Sequence, residues 1–381
     1  MPRQEQARAP DVQASTVRAV VLRRGESGPR LVQAPRPEAR KGQALVRTLR
    51  AGIDGTDEEV LRGAHGAFPP GRDELVLGHE CLGEVVEAPP ESGLVPGDRV
   101  VPLVRHGCGA CEACARRADF CPTEGYREHG IKEMDGFFRD AWVDDPATLV
   151  KAPPGLDDLA VLVEPLSVVV KAFDEARRIQ QRVPWFEEAG GFRGQRALMA
   201  GTGSLGTLGA FLLASEGMEV WALDRDADDA AAPALLREIG VKHVNTRERH
   251  VVDVAEQVGG FDLVLEATGA PQVAFDCVQT LAGNGCMAML GVPADRPPLP
   301  VPADEIMRRM VLENQVLFGS VNSARRHFEE AMRRLADLRA RWPGQVDRIV
   351  THVFSPDEIV EAYQVRGPSV IKKVVDWTRG R

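Results

Sequence analysis

Apolar positions change rhythm along the chain. Up to about residue 150 they come in short runs, "VRAVVLRRG", "ALVRTLRAG", "GEVVEA" and "DRVVPLV", punctuated by Gly and Pro. That pattern predicts a compact β-rich unit. From Ala160 to Arg182 the spacing shifts to three and four, through Leu162, Leu166, Val169, Val170 and Phe173, and predicts a helix. "PWFEEAGGFRGQ", Pro184 to Gln195, reads as a loop. Strands then alternate with helices: "RALMA" (Arg196 to Ala200), an apolar helix from Leu205 to Glu216, "EVWALD" (Glu219 to Asp224), "FDLVLEATG" (Phe261 to Gly269) and "GCMAMLG" (Gly285 to Gly291). This order implies a doubly wound parallel sheet, so the fold class is α/β with a β-rich unit ahead of it. A helix from about Ala324 to Arg341 and the strand "VIKKVVDW" close the chain. Arg325, Arg326, Arg333, Arg334 and Arg341 mark the solvated face of that helix.

At 381 residues the chain exceeds one ordinary core, and two domains are expected. The balance of 44% hydrophobic and 27% charged residues is that of a soluble globular protein. A net charge of -9 without a basic stripe argues against a nucleic-acid or anionic-membrane partner. The longest apolar runs are too short and interrupted to span a membrane. The polar first 16 residues lack an apolar signal core and read as a disordered extension. Four of seven cysteines fall between Cys108 and Cys121, and thiols clustered in a chain without a secretion signal favour a metal and a reducing, cytoplasmic setting.

"AGTGSLG" fits G-x-G-x-x-G at Gly201, Gly203 and Gly206, between a predicted strand and a helix. Gly201 would make the turn, Gly203 admit the pyrophosphate and Gly206 let helix and strand pack. The helix N-terminus is then left to hold the anion. Asp224, eighteen residues beyond Gly206, would accept from a ribose 2'-hydroxyl and repel a 2'-phosphate, which favours NAD. Arg225 beside it keeps NADP open. In "RHGCGACEACARRADFC", Cys108, Cys111, Cys114 and Cys121 can wrap a closed tetrahedral zinc, a structural site. Cys81, Cys277 and Cys286 sit among apolar residues as core thiols.

The order of β-rich unit, "GHE", four-cysteine loop, helix and dinucleotide turn resembles the zinc-dependent medium-chain dehydrogenase/reductase family from about Val17 onward. "GTDEEV", "LVLGHE", "CGACEAC", "ADFC", "MDGF", "DDPATLVKAP", "EPL" and "GTGSLG" together look most like its glucose dehydrogenase branch. The resemblance implies a GroES-like catalytic domain over 17–185 and 320–381 and a Rossmann dinucleotide-binding domain over 186–319, with 1–16 as the extension. It implies a catalytic zinc held by Asp54, His79 and Glu164, with Glu80 in reserve as a neighbouring or exchanging ligand. Asp57 would orient His79. Asp54 departs from the usual family cysteine and makes the site mostly oxygen, hence less selective for zinc. The cysteine loop is one residue shorter than usual before Cys121.

By the same resemblance the cofactor lies against Gly201, Thr202, Gly203, Ser204, Leu205, Gly206, Asp224, Arg225, Thr268 and Asn322. Thr56 passes on the substrate proton, and Glu128 and Asn322 contact the substrate. Two further sugar-contacting positions fall on Val104 and Val168, each removing a hydrogen-bond partner. His129 reads as a partly exposed loop histidine. The expected activity is zinc-dependent, NAD(P)-linked oxidation of a hydroxyl on a sugar or polyol-like small molecule by a homodimer or homotetramer. Two alternatives stay open at this point: a catalytically silent dinucleotide-binding sensor or structural protein, and a dehydrogenase for a less hydroxylated biosynthetic alcohol.

Overall fold

The computed structural model describes residues 15–116, 121–123, 125–293 and 298–379. Of the expected N-terminal extension, residues 1–14 lie outside the described residues, as do 118–120 of the "ADFC" motif. Thr16, assigned to the extension, instead opens the strand Thr16–Arg23.

That strand lies between Arg30–Pro35 and Glu74–Val76 in a three-stranded antiparallel sheet. The larger sheet runs in the order Leu149–Lys151, Arg99–Pro102, Glu80–Glu87, Ala44–Ile53, Lys372–Asp376 and Val350–Phe354, with Ala141–Asp144 also on Ala44–Ile53. The last two come from the far end of the chain, so the C-terminus completes the β-rich unit. A small sheet joins Arg105–His106, Arg127–His129 and Glu133–Met134.

The third large sheet is parallel throughout, in the order Lys242–Asn245, Glu219–Asp224, Arg196–Ala200, Phe261–Glu266, Leu281–Met289 and Val316–Gly319. Numbered along the chain, this is the 3-2-1-4-5-6 order of a dinucleotide-binding sheet. Its buried strands are apolar runs because helices cover both faces. The strand carrying "GCMAMLG" starts earlier than expected, at Leu281, because Asn284 adopts φ 63° within it, a conformation Asn tolerates. It has neighbours on both sides, so the free edge on that side is Val316–Gly319.

The helix expected over Ala160 to Arg182 begins as a 3-10 turn, Asp157–Leu162, and becomes α-helical over Val163–Gln180. Pro165 sits in its first turn, where no intrahelical N–H is required of it. Val169, Phe173 and Ala176 of this helix share one hydrophobic core with Leu208, Leu212 and Leu335 of the helices Ser204–Ser215 and Arg325–Arg341. The arginine face of the last helix is not simply solvated. Arg325 donates to the carbonyls of Ala147 and Leu149, Arg341 donates to that of Ser215, and Arg334 pairs with Glu216 and Glu330. Among the described residues no helix is long and apolar enough to cross a membrane.

Candidate active site

The strand Ala44–Ile53 ends at Asp54, which caps the helix Gly55–Leu61. Asp54 Oδ1 accepts from the N–H groups of Thr56 and Asp57 at 2.8 and 3.2 Å, and Asp57 Oδ2 accepts from the N–H of Asp54 at 3.1 Å. This reciprocal cap satisfies three backbone donors and fixes the corner. It leaves Asp54 Oδ2 facing His79 Nε2 at 3.5 Å, with the Thr56 hydroxyl 3.3 Å away. Capping and ligand-type presentation thus use different oxygens of one carboxylate.

His79 and Glu80 enter from the neighbouring strand. His79 Nδ1 lies 3.5 Å from Asp57 Oδ1, in charge contact but beyond hydrogen-bond length. Glu80 forms a fully buried ion pair with Lys372, whose Nζ also donates to the carbonyl of Ile53 at 3.2 Å. Gly52 makes room for that pair, because a Cβ there would collide with the Glu80 carboxylate and press on Lys372. The sequence offered no sign of Lys372, which sits in "VIKKVV" as one of two consecutive lysines.

One donor atom each from Asp54, His79 and Glu80 lie within 4.8 Å of one another. Glu164, at the start of Val163–Gln180, stays outside that tight group but feels the charges of all three. Burial opposes ionisation of Asp54, yet His79 and Lys372 hold its carboxyl well below the usual range. Burial also disfavours the His79 imidazolium, and Asp54 and Asp57 overcome this and raise its pKa. Burial pushes the carboxyls of Glu80 and Glu164 up, that of Glu164 to about 8. Asp57 Oδ1, His79 Nδ1 and Glu80 Oε1 are buried without a hydrogen bond, whereas Glu80 Oε2 is met by Lys372. Crowded, unsatisfied donors of this type fit a divalent cation, which would neutralise the carboxylates and take the imidazole lone pair.

In the cysteine loop, Cys108 and Cys114 Sγ are 3.9 Å apart and Cys111 and Cys121 Sγ 3.7 Å, all four within 4.8 Å. Sulfurs about 2.3 Å from a tetrahedral zinc are separated by about 3.8 Å, whereas a disulfide needs about 2.05 Å. The Thr123 hydroxyl, 3.1 Å from Cys121 Sγ, and two backbone N–H groups lower that thiol to about 5, so it is ready as thiolate. Cys81, Cys277 and Cys286 are buried as expected.

At the dinucleotide turn Gly201 has φ 97°, a Cβ on Gly206 would strike the Gly201 carbonyl, and the space over Gly203 is open. The helix Ser204–Ser215 has no side-chain cap, leaving its first N–H groups free for an anion. Asp224 has both oxygens engaged, by the Thr202 hydroxyl and by the N–H of Asp226 at 2.7 Å. Arg225 is exposed and has no ion-pair partner among the described residues. A cleft of 640 Å³ is lined by Asp54 and Thr56 on one side and by Gly203 to Gly206, Arg225 and Thr268 on the other.

Of the residues expected to meet substrate, Thr56 lines that cleft, and Glu128 and Asn322 stand apart from it. Glu128 Oε1 accepts from Arg105 Nε at 2.8 Å, with both side chains under a tenth exposed. Asn322 lines a separate cavity with Arg105 and Cys114. Val104 is buried. His129 is not a loop histidine: it is 1% exposed on the strand Arg127–His129.

Residues 40–154 match the alcohol dehydrogenase GroES-like domain, and residues 157–377 match the glucose dehydrogenase C-terminus. The glucose 1-dehydrogenase of Haloferax mediterranei is 39% identical over 368 residues, covering 95% of this chain and 99% of its own. That of Methanocella arvoryzae is 36% identical over 335 residues, covering 87% and 91%. Among solved structures, the Haloferax mediterranei glucose dehydrogenase in complex with NADP, Zn and gluconolactone superposes with a TM-score of 0.87 at 36% identity, covering 95% of this chain and 100% of that one.

Proposed function

The chain belongs to the glucose dehydrogenase branch of the zinc-dependent medium-chain dehydrogenase/reductase family, and we propose that it oxidises the anomeric hydroxyl of an aldose with a nicotinamide dinucleotide as acceptor. It is a zinc-dependent, NAD(P)-linked dehydrogenase. The observation that carries the reading is the shared cleft, which sets the Asp54–Thr56 corner opposite the glycine turn. We assign the β-rich unit, residues 17–185 and 320–381, to catalysis and 186–319 to the dinucleotide.

Asp54 Oδ2, His79 Nε2 and Glu164 would hold the catalytic zinc, and the four loop cysteines the structural one. Bound in this cleft, zinc supplies Lewis acidity toward the substrate hydroxyl and the nicotinamide accepts the hydride. Thr56 Oγ1 takes the hydroxyl proton while releasing its own toward the cofactor ribose and solvent. Asp57 keeps His79 turned so that Nε2 faces the cleft corner. Lys372 balances Glu80, so the corner does not gather one more uncompensated negative charge. The uncapped helix and Gly203 would receive the pyrophosphate. Arg225, with Asp224 occupied elsewhere, supports acceptance of NADP as well as NAD.

A second reading rests on the Arg105–Glu128 pair. With Glu128 engaged and Val104 and Val168 apolar, fewer polar groups remain for sugar hydroxyls, which favours a less hydroxylated alcohol. Dinucleotide reduction across glucose, other aldoses, polyols and simple alcohols separates the two. Turnover of an aldose with lactone as product supports the proposal, turnover restricted to less polar alcohols supports the second reading, and no turnover contradicts both. We also propose that two copies pair along the edge strand Val316–Gly319, beside the exposed Met307, Val311 and Leu312.

A further inference from the structure

Away from the cleft, His106, His129 and Asp144 present one donor atom each within 4.8 Å of one another. His129 Nε2 lies 3.1 Å from Asp144 Oδ2, and His106 Nε2 lies 3.6 Å from the same oxygen. His129 and Asp144 side chains are 1% and 5% exposed, and His106 16%.

Hydrogen-bond chemistry limits what can fill this space. His129 Nδ1 sits 2.7 Å from the carbonyl oxygen of Asp135, which can only accept, so Nδ1 carries a proton. In a neutral imidazole Nε2 is then a bare lone pair aimed at a carboxylate oxygen. Repulsion between the two is relieved by a cation, either a second proton on His129 or a metal. A proton would satisfy His129 and Asp144 but leave His106 Nε2, which is buried without a hydrogen-bond partner, unsatisfied. A metal satisfies all three donors together.

We propose that His106, His129 and Asp144 form a third metal site, for a zinc-class divalent ion, separate from the cleft and the cysteine loop. Nitrogen and oxygen ligands about 2.0–2.1 Å from a tetrahedral ion are about 3.4 Å apart, and the two observed separations bracket this value. An Nδ1–H held by a backbone carbonyl fixes the ring as it does in metal-bound histidines. Asp144 Oδ1 is likewise fixed, accepting from the N–H of Asp145 at 2.7 Å. Flanking charge is mixed, Arg127 and Arg139 against Asp135 and Asp145. Partial exposure of His106 leaves the fourth position to water. The ion would tie the small sheet, where His106 stands two residues ahead of Cys108 and Arg105 pairs with Glu128, to the strand Ala141–Asp144, so its role is to hold structure.

The test is a metal count by plasma mass spectrometry on full-length protein saturated with zinc and then desalted. It does not depend on the proposed activity, because the readout is stoichiometry. His106→Asn is the informative variant, since His106 Nε2 makes no hydrogen bond and the edge contact of its ring with His129 is the packing it gives up. It should hold one zinc fewer per chain than the wild type. His79→Asn should independently lose one, and the double variant two. His129→Gln should repeat the loss seen with His106→Asn if it folds. Equal zinc content in wild type and His106→Asn, with nitrogen NMR showing both His129 nitrogens protonated, would overturn the proposal in favour of a buried imidazolium.

Discussion

Asp54 caps a helix with one oxygen and in the proposed site holds zinc with the other, and amide and methyl replacements separate the two. Asp54→Asn keeps an acceptor for the helix cap but removes the charge, so the melting temperature should hold while zinc content at the cleft and turnover fall by at least about a hundredfold, the scale of removing a charged ligand-type contact. Asp54→Ala should add a stability loss of about 1 kcal/mol from the missing cap, read by denaturant unfolding. Arg225→Ala should raise KM for NADP by about 10- to 100-fold and leave NAD nearly unchanged, as expected for one lost charge-assisted hydrogen bond. Glu164 gives a pH signature. Its ordinary pKa near 4.5 rises to about 8 in the folded, metal-free protein. Between those values the native state holds a proton that the unfolded chain has released, so stability of chelated protein should fall as pH rises through this window. Melts of chelated wild type should show that decline, and Glu164→Gln should flatten it. Several of these placements were legible in sequence: the Asp54 and His79 corner, the glycine turn and the four cysteines all occupy short local motifs. Lys372 was not, because its partner Glu80 lies 292 residues away and only folding shows that the lysine is buried. His129 was misread because burial is a property of the sheet it joins.

At the scale of elements, the apolar rhythm gave the strands Arg196–Ala200 and Glu219–Asp224 within a residue, since each is a continuous buried run. It passed over Lys242–Asn245 and Val316–Gly319, four-residue strands at the two edges of that sheet, where one-sided contact demands little apolar sequence. The second of these matters for assembly. An open strand edge beside a helix exposing Met307, Val311 and Leu312 is a costly surface to leave in water. Leu312→Glu should therefore shift the protein toward monomer in sedimentation at micromolar concentration without changing its far-UV spectrum. An unchanged sedimentation coefficient would place the interface elsewhere.

Across the whole molecule, the long helix Val163–Gln180 packs between the β-rich unit and the parallel sheet and carries Glu164 at its start. The strands Lys372–Asp376 and Val350–Phe354 return from the end of the chain to the first sheet, which brings Lys372 under the corner that Asp54 and His79 build. The cleft is therefore made by chain segments far apart in sequence, and in the proposed reaction its two walls would supply different halves. The direct test is reduction of NADP by glucose, followed by absorbance, in protein as purified, after chelation and desalting, and after zinc is restored. Loss of turnover on chelation, recovery with zinc in the wild type and no recovery in His79→Ala are the predicted results. Turnover that survives chelation, or that His79→Ala retains, would contradict a metal-dependent reaction in this cleft.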